Sequence, residues 1–263
     1  MCVHHPRRKP AKQQNERSKA MSYNNYINLP ADLLDKPIYR IMPIHRFLQL
    51  LEEKKLTLVK PKKWDDPFEN ALLNCAFETS NGETGSFAAK DSVYGQCWTF
   101  HRETDAMWRI YSHDKDGVRV STTPRKLLTA LQTAEPKHHN LKCFIGKVSY
   151  LPKKKLLEKL QSIDLLNTNG SGIAESLLYK RTEFTHENEI RLIYSGDDNA
   201  CISDIFQFDI DPATLLDRIL FDPRMEKNLR EAYKLAIKEK GCETEIRRST
   251  LYDAPKGLKF KLP

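Results

Sequence analysis

Three charged side chains stand at alternate positions in one short stretch: Glu187, Glu189 and Arg191, with Asn188, Ile190 and Leu192 interleaved. Read as a strand, Glu187–Leu192 puts both carboxylates and the guanidinium on one face and the aliphatics on the other. Such a face is either a salt-bridged ladder turned to solvent or the wall of a site. A carboxylate aimed at a ribose stabilises positive charge developing on the sugar. An arginine on a neighbouring strand holds a diphosphate bidentately, and a hydroxyl steers the carboxylate. Arg40 and Thr99 have the types those two tasks need, and Trp64, Trp98, Trp108 and Tyr111 offer rings to bracket a planar ligand. Together these are the requirements for breaking a nicotinamide–ribose bond. The same residues also permit a structural Arg40–Glu189 ion pair, or a nucleotide-binding sensor without turnover.

Other chemistries have weaker signatures. His138-His139-x-x-x-Cys143 is the nearest approach to a ligand cluster, and no zinc-type spacing occurs, so no metal is expected. No G-x-S-x-G elbow is present, and Cys97 falls in an apolar strand where cysteine acts as a small hydrophobe. Neither a G-x-G-x-x-G turn nor a phosphate-binding G-x-x-x-x-G-K-[ST] loop appears. A basic region, Lys137, Lys142, Lys147, Lys153, Lys154, Lys155 and Lys159 with His138 and His139, is either a solvated surface or a track for phosphates.

Patterning assigns the elements that carry these residues. Pro37–Met42 reads as a first strand bearing Arg40, followed by a helix with Ile44, Phe47, Leu48 and Leu51 on one face. Lys55–Val59 alternates as a strand. Trp64-Asp65-Asp66-Pro67-Phe68-Glu69 has the form of a helix start, with Asp66 as N-cap, Pro67 next and Glu69 closing a capping box. Val93–Phe100 is a central strand carrying Thr99, and Thr104 caps a helix holding Trp108 and Tyr111. Strands follow at Val118–Thr122 and Leu141–Leu151, and helices at Arg125–Ala134 and Lys153–Leu166. Gly170-Ser171-Gly172 is a flexible break, Gly196–Asn199 a turn, Ile202–Ile210 a strand, Met225–Lys240 a helix and Glu243–Arg248 a last strand. This order lacks strict βαβ alternation. It predicts one α+β domain with a mixed or split antiparallel sheet and peripheral helices, about eight strands in all.

The totals set bounds. A chain of 263 residues with 40 % hydrophobic and 30 % charged residues can bury a substantial core. No apolar run is long enough to cross a membrane, and the opening residues, with no apolar stretch behind their positive charge, do not read as a secretory leader. Six scattered cysteines without C-x-x-C predict reduced thiols and a cytoplasmic setting. The net charge is +8, but residues 1–20 hold six Lys/Arg against one Glu, so the rest is nearly neutral. Residues 1–20 read as a disordered basic tail, with Met21 a plausible true start and residues 21–263 the domain.

Several segments together resemble a bacterial family, the domain of unknown function numbered two-nine-seven-one. They are Ile38-Tyr39-Arg40; Trp64–Glu69, where that family has an N-D-P-F-E core; Cys97-Trp98-Thr99, where it has C-F-S; Met107-Trp108-x-x-Tyr111; Gly117-Val118; and Lys180 with Glu187-x-Glu189-x-Arg191. Asp65 replaces the usual asparagine and Thr99 the usual serine. The order of Arg, Ser/Thr and Glu-x-Glu on successive strands is also similar to ADP-ribosyltransferases. That likeness implies NAD as glycosyl donor, held by Arg40 with Tyr39, Trp64, Trp108, Tyr111 and Arg191. It implies Thr99 as a brace, Glu189 as the catalytic carboxylate and Glu187 as the acid that orients or deprotonates the acceptor, a nucleic acid or a protein. A toxin or defence effector would use such a site. The open alternatives are a nucleic-acid or nucleotide-binding module using residues 137–159, and an interaction domain with a salt-bridged strand.

Overall fold

A computed structural model of the chain describes residues 25–196 and 203–261. The basic tail, the start at Met21 and most of the expected Gly196–Asn199 turn lie outside the described residues. The strands are β1 (Tyr26–Ile27), β2 (Ile38–Pro43), β3 (Lys55–Val59), β4 (Ala76–Glu78), β5 (Thr84–Ser86), β6 (Val93–Thr99) and β7 (Gly117–Thr122). They continue with β8 (Cys143–Lys147), β9 (Ser149–Leu151), β10 (Tyr179–Arg181), β11 (Glu189–Ser195), β12 (Ile205–Asp209), β13 (Arg218–Phe221) and β14 (Ile246–Arg248). The longer helices are α1 (Ile44–Glu53), α2 (Asp105–Tyr111), α3 (Pro124–Ala134), α4 (Lys153–Gln161) and α5 (Lys227–Glu239).

Ten strands form one mixed sheet in the order β1-β8-β11-β6-β2-β7-β13-β14, with β3 joined to β6 and β12 joined to β3. The β1–β8 and β13–β14 pairs are parallel and the rest antiparallel. The expected α+β class and split sheet are what the chain adopts. The strand number is higher than patterning predicts because two- and three-residue edge strands carry too few side chains to show a period.

The split is at β6. Its β11 edge is paired along its whole length. Its other edge meets β3 only at Gly95, opposite Val59, and β2 only at Thr99, opposite Tyr39. Gln96, Cys97 and Trp98 lie between those two points, where β2 and β3 diverge. α1 explains the divergence: it follows β2 directly, and Ile44, Phe47, Leu50 and Leu51 bury its inner face before the chain returns as β3. Lys54, in the left-handed region at φ 51°, makes the reversal. Burying each such aliphatic or aromatic side chain contributes about 1.5–3 kcal/mol, so the packing of α1 keeps the two strands apart.

One large apolar core joins α1, α3 and the sheet. A second lies on the opposite face around Leu73, Phe144, Leu177, Leu178 and Ile193. The Gly170-Ser171-Gly172 segment leads into that second core: Gly170 packs against the Leu141 carbonyl and Gly172 against that of Asp164, where a Cβ would collide. It is a tight corner within the domain.

Candidate functional site

A cavity of about 380 Å³ occupies the split. Its wall includes Tyr39 and Arg40 from β2, Thr57 and Val59 from β3, Gly95 to Thr99 from β6, and Tyr111 from α2. Trp64 to Asp66 and Glu69 come from the turn after β3, and Lys180, Phe184, Glu187 and Glu189 close the far side. Arg40, Thr99, Glu187 and Glu189 therefore share one cavity, as do Tyr39, Trp64 and Tyr111. Register explains part of this, since Tyr39, Thr99 and Glu189 stand opposite one another on three adjacent strands.

Two expected wall residues stand elsewhere. Trp108 is fully buried with Ile41, Met107 and Leu220, and its indole N–H donates to Glu103 at 2.8 Å. Arg191 is also fully buried, behind the carboxylates rather than on the cavity wall.

The charged strand face is not solvated. β11 begins at Glu189; Glu187 ends a 3-10 turn, Thr182–Glu187, and Asn188 sits between them at φ 42°. The ladder reading fails because this face is covered by the Trp64–Asn70 turn. The backbone here is held from both sides: Thr99 Oγ1 donates to the Glu187 carbonyl at 2.6 Å, and Glu189 N–H donates to Tyr150 Oη at 2.8 Å. Thr99 thus fixes the loop that presents Glu187, and its own oxygen accepts from His101 N–H at 3.0 Å.

The capping-box reading of Asp66 and Glu69 is also overturned. The next helical turn starts only at Ala71. Asp66 accepts from Phe68 N–H and pairs with Arg181 at 3.1 Å. Glu69 turns inward to pair with Lys180 at 3.0 Å and with Arg191. Lys180 and Glu69 stand in the family pattern, but the sequence reading gave neither a place in the site. The buried cation at Lys180 is invisible to local patterning because its partners lie on other elements, and a valid N-terminal cap explained Glu69 locally.

Five ionisable groups therefore meet beneath the cavity. Lys180 Nζ lies 3.2 Å from Glu189 and bonds Glu187, while Arg191 Nε donates to Glu189 at 2.7 Å and Nη1 to the Leu177 carbonyl at 2.7 Å. Side-chain exposure across the five runs from 0 % to 11 %, so water screens them little. Burial and the neighbouring Glu189 push Glu187 up to about 7. Burial opposes the charge on Glu189 too, but Arg191 and Lys180 outweigh it and hold that carboxyl well below the usual range. Burial, then Glu189, pushes the Cys97 thiol up to about 12, which leaves it an inert wall group.

Arg40 contrasts with this cluster. It is half-buried on the cavity wall, its side chain makes no ion pair or hydrogen bond among the described residues, and burial pulls its pKa down. It is a cation short of a counter-ion among the described residues, and the alternative of an Arg40–Glu189 ion pair does not form. Trp64 lies across Gly95, where a Cβ would come within 2.7 Å of the ring, and the Arg191 guanidinium sits 4.4 Å from the ring centre.

Among the described residues no helix is long and apolar enough to cross a membrane, and no group of three or more His, Cys, Asp or Glu could hold a metal ion. No curated protein matches the sequence. Solved structures similar to this chain include Thermus sp. 2.9 DarT in complex with NAD+, at 13 % identity and TM-score 0.39, covering 84 % of this chain and 98 % of that one. DarT of the same source in complex with ADP-ribosylated ssDNA is similar at 12 % identity and TM-score 0.40, covering 84 % and 96 %. Residues 107–192, which run from α2 through Lys180 to the Glu187–Arg191 segment, match the family described as Protein of unknown function (DUF2971).

Proposed function

We propose that the chain transfers ADP-ribose from NAD to an acceptor, with Glu189 as the catalytic carboxylate. One observation carries this reading. A half-buried arginine with no counter-ion among the described residues and a buried acid pair line the same cavity, in a sheet split open at that point. The residues fit the donor. Arg40 supplies positive charge for a diphosphate. Glu189, ionised and held by Arg191 and Lys180, faces positive charge developing on a ribose. Tyr39, Trp64 and Tyr111 offer ring faces, and Thr99 braces the Glu187 loop. Glu187 is the group able to take the acceptor's proton near neutral pH.

A second observation favours nucleic acid as the acceptor. Cations and rings alternate from the surface to the cavity: Lys153 at 5.5 Å from Phe68, Arg181 at 4.7 Å from Phe68 and 5.3 Å from Phe184, and Lys180 at 4.5 Å from Phe184. Phosphates would follow Lys153 and Arg181 and bases would stack on the rings, with Lys180 held by its carboxylates at the inner end. A cytoplasmic toxin or defence effector is the setting we assign.

NAD titration by calorimetry, followed by mass spectrometry for released nicotinamide, tests the proposal. Wild type should bind and release nicotinamide. Glu189→Gln should retain binding and lose at least about a hundredfold in rate. Full nicotinamide release by Glu189→Gln would sink the assignment. If the chain is only a binding module, polynucleotide affinity falls steeply with salt and survives Glu189→Gln, with no nicotinamide formed.

A further inference from the structure

Among the described residues the buried cluster holds three carboxyls and two cations. Glu69 touches both cations, Lys180 at 3.0 Å and Arg191, and Glu189 touches both, Lys180 at 3.2 Å and Arg191 at 2.6 Å. Of the two cations Glu187 touches only Lys180, and its carboxyl shares a hydrogen bond with Glu189. Two cations neutralise two carboxylates, and a third carboxylate shielded from water is cheapest when neutral. The geometry selects Glu187 as the one left over.

We propose that Glu69 is a positioning residue that keeps Glu187 protonated in the free protein, by occupying charge on Lys180 and Arg191 that Glu187 would otherwise use. The groups facing Glu187 agree with this. Lys180 comes from β10, Glu189 from β11, Tyr150 from β9 and Tyr111 from α2. Burial raises both tyrosines, so neither supplies charge. Lys180 is therefore the only cation in contact with Glu187 among the described residues, and Glu69 shares it.

The inference rests on the transferase reading for its consequence. Positive charge entering the cavity supplies the missing counter-ion, and Glu187 then gives its proton to solvent. An acid in the free protein becomes a base once the cationic nicotinamide end of the donor is bound beside it.

Melting curves between pH 5 and 8 test the charge coupling without turnover. In wild type the melting temperature carries a component that falls as pH rises through about 7, and Glu187→Gln removes it. Glu69→Gln leaves two carboxyls for two cations, so Glu187 ionises and the same component disappears. The rising limb of the kcat/KM profile for nicotinamide release, which reports the free protein, then moves lower by about one pH unit or more. A purely structural Glu69 would instead lower stability and rate at every pH with the limb in place, and that result overturns the proposal. Failure of Glu69→Gln to fold at pH 8, where Glu187 can ionise in its stead, overturns it equally. If the melting component shifts but no variant releases nicotinamide, the coupling stands and the transferase reading falls.

Discussion

Glu187 is an acid whose folded environment works against its charge, and this has a sign that can be read in stability. Its carboxyl moves from 4.5 up to about 7 on folding. Between those values the folded chain holds a proton that the unfolded chain has released, so stability from this group is full at low pH and is lost as pH rises through about 7. The window corresponds to roughly 3 kcal/mol at most. Glu187→Gln, which mimics the protonated acid, should therefore raise the melting temperature at pH 8 and leave it nearly unchanged at pH 5. An equal gain at both pH values would show that charge is not the cause. Arg40 gives a complementary prediction. Removing a half-buried cation without a counter-ion should not destabilise the fold, so Arg40→Met should melt at or above the wild-type temperature. Its affinity for NAD should fall at least about tenfold by calorimetry, the loss expected for a charge-assisted bond. An unchanged affinity would remove Arg40 from the donor site.

At the scale of elements, the single residue between the two acids does the aiming. Asn188 adopts φ 42°, which breaks the strand alternation and lets Glu187 and Glu189 both reach Lys180. A β-branched residue resists that conformation by roughly 1–2 kcal/mol, whereas glycine tolerates it. Asn188→Val should lose about that much stability by denaturant unfolding and lose nicotinamide release with it, while Asn188→Gly should stay close to wild type in both. The strand β11 itself, the helix capped by Thr104 and the central strand with Thr99 were legible from periodicity and capping chemistry. The Trp64–Glu69 turn was not. Its sequence satisfies a local capping rule, and only the approach of β10 and β11 turns Asp66 and Glu69 onto Arg181, Lys180 and Arg191.

For the whole molecule, the central fact is a ten-stranded sheet that opens where two strands leave the same edge of β6. Gly95 matters to that opening because it lets Trp64 lie flat on the strand; Gly95→Ala forces a Cβ to within 2.7 Å of the ring. That variant should reduce NAD affinity and lower the melting temperature by an amount typical of overpacking, about 1–3 kcal/mol, and a wild-type titration would exclude Trp64 as a wall of the donor site. We also propose that residues 21–263 form the folding unit, so deleting residues 1–20 should leave the melting temperature unchanged; a large drop would assign those residues to it.

By itself the sequence determined the class of fold, the pairing of Glu189 with Arg191, and the residue types that a ribose and diphosphate site needs, because period, capping and side-chain chemistry are local properties. Tertiary structure alone decided which of those residues share a cavity. Trp108 went to the core because its apolar neighbours and Glu103 satisfy it there. Lys180 and Glu69 entered the site because a buried charge is tolerable only beside its opposite, and those opposites arrive from strands and turns far apart in the chain.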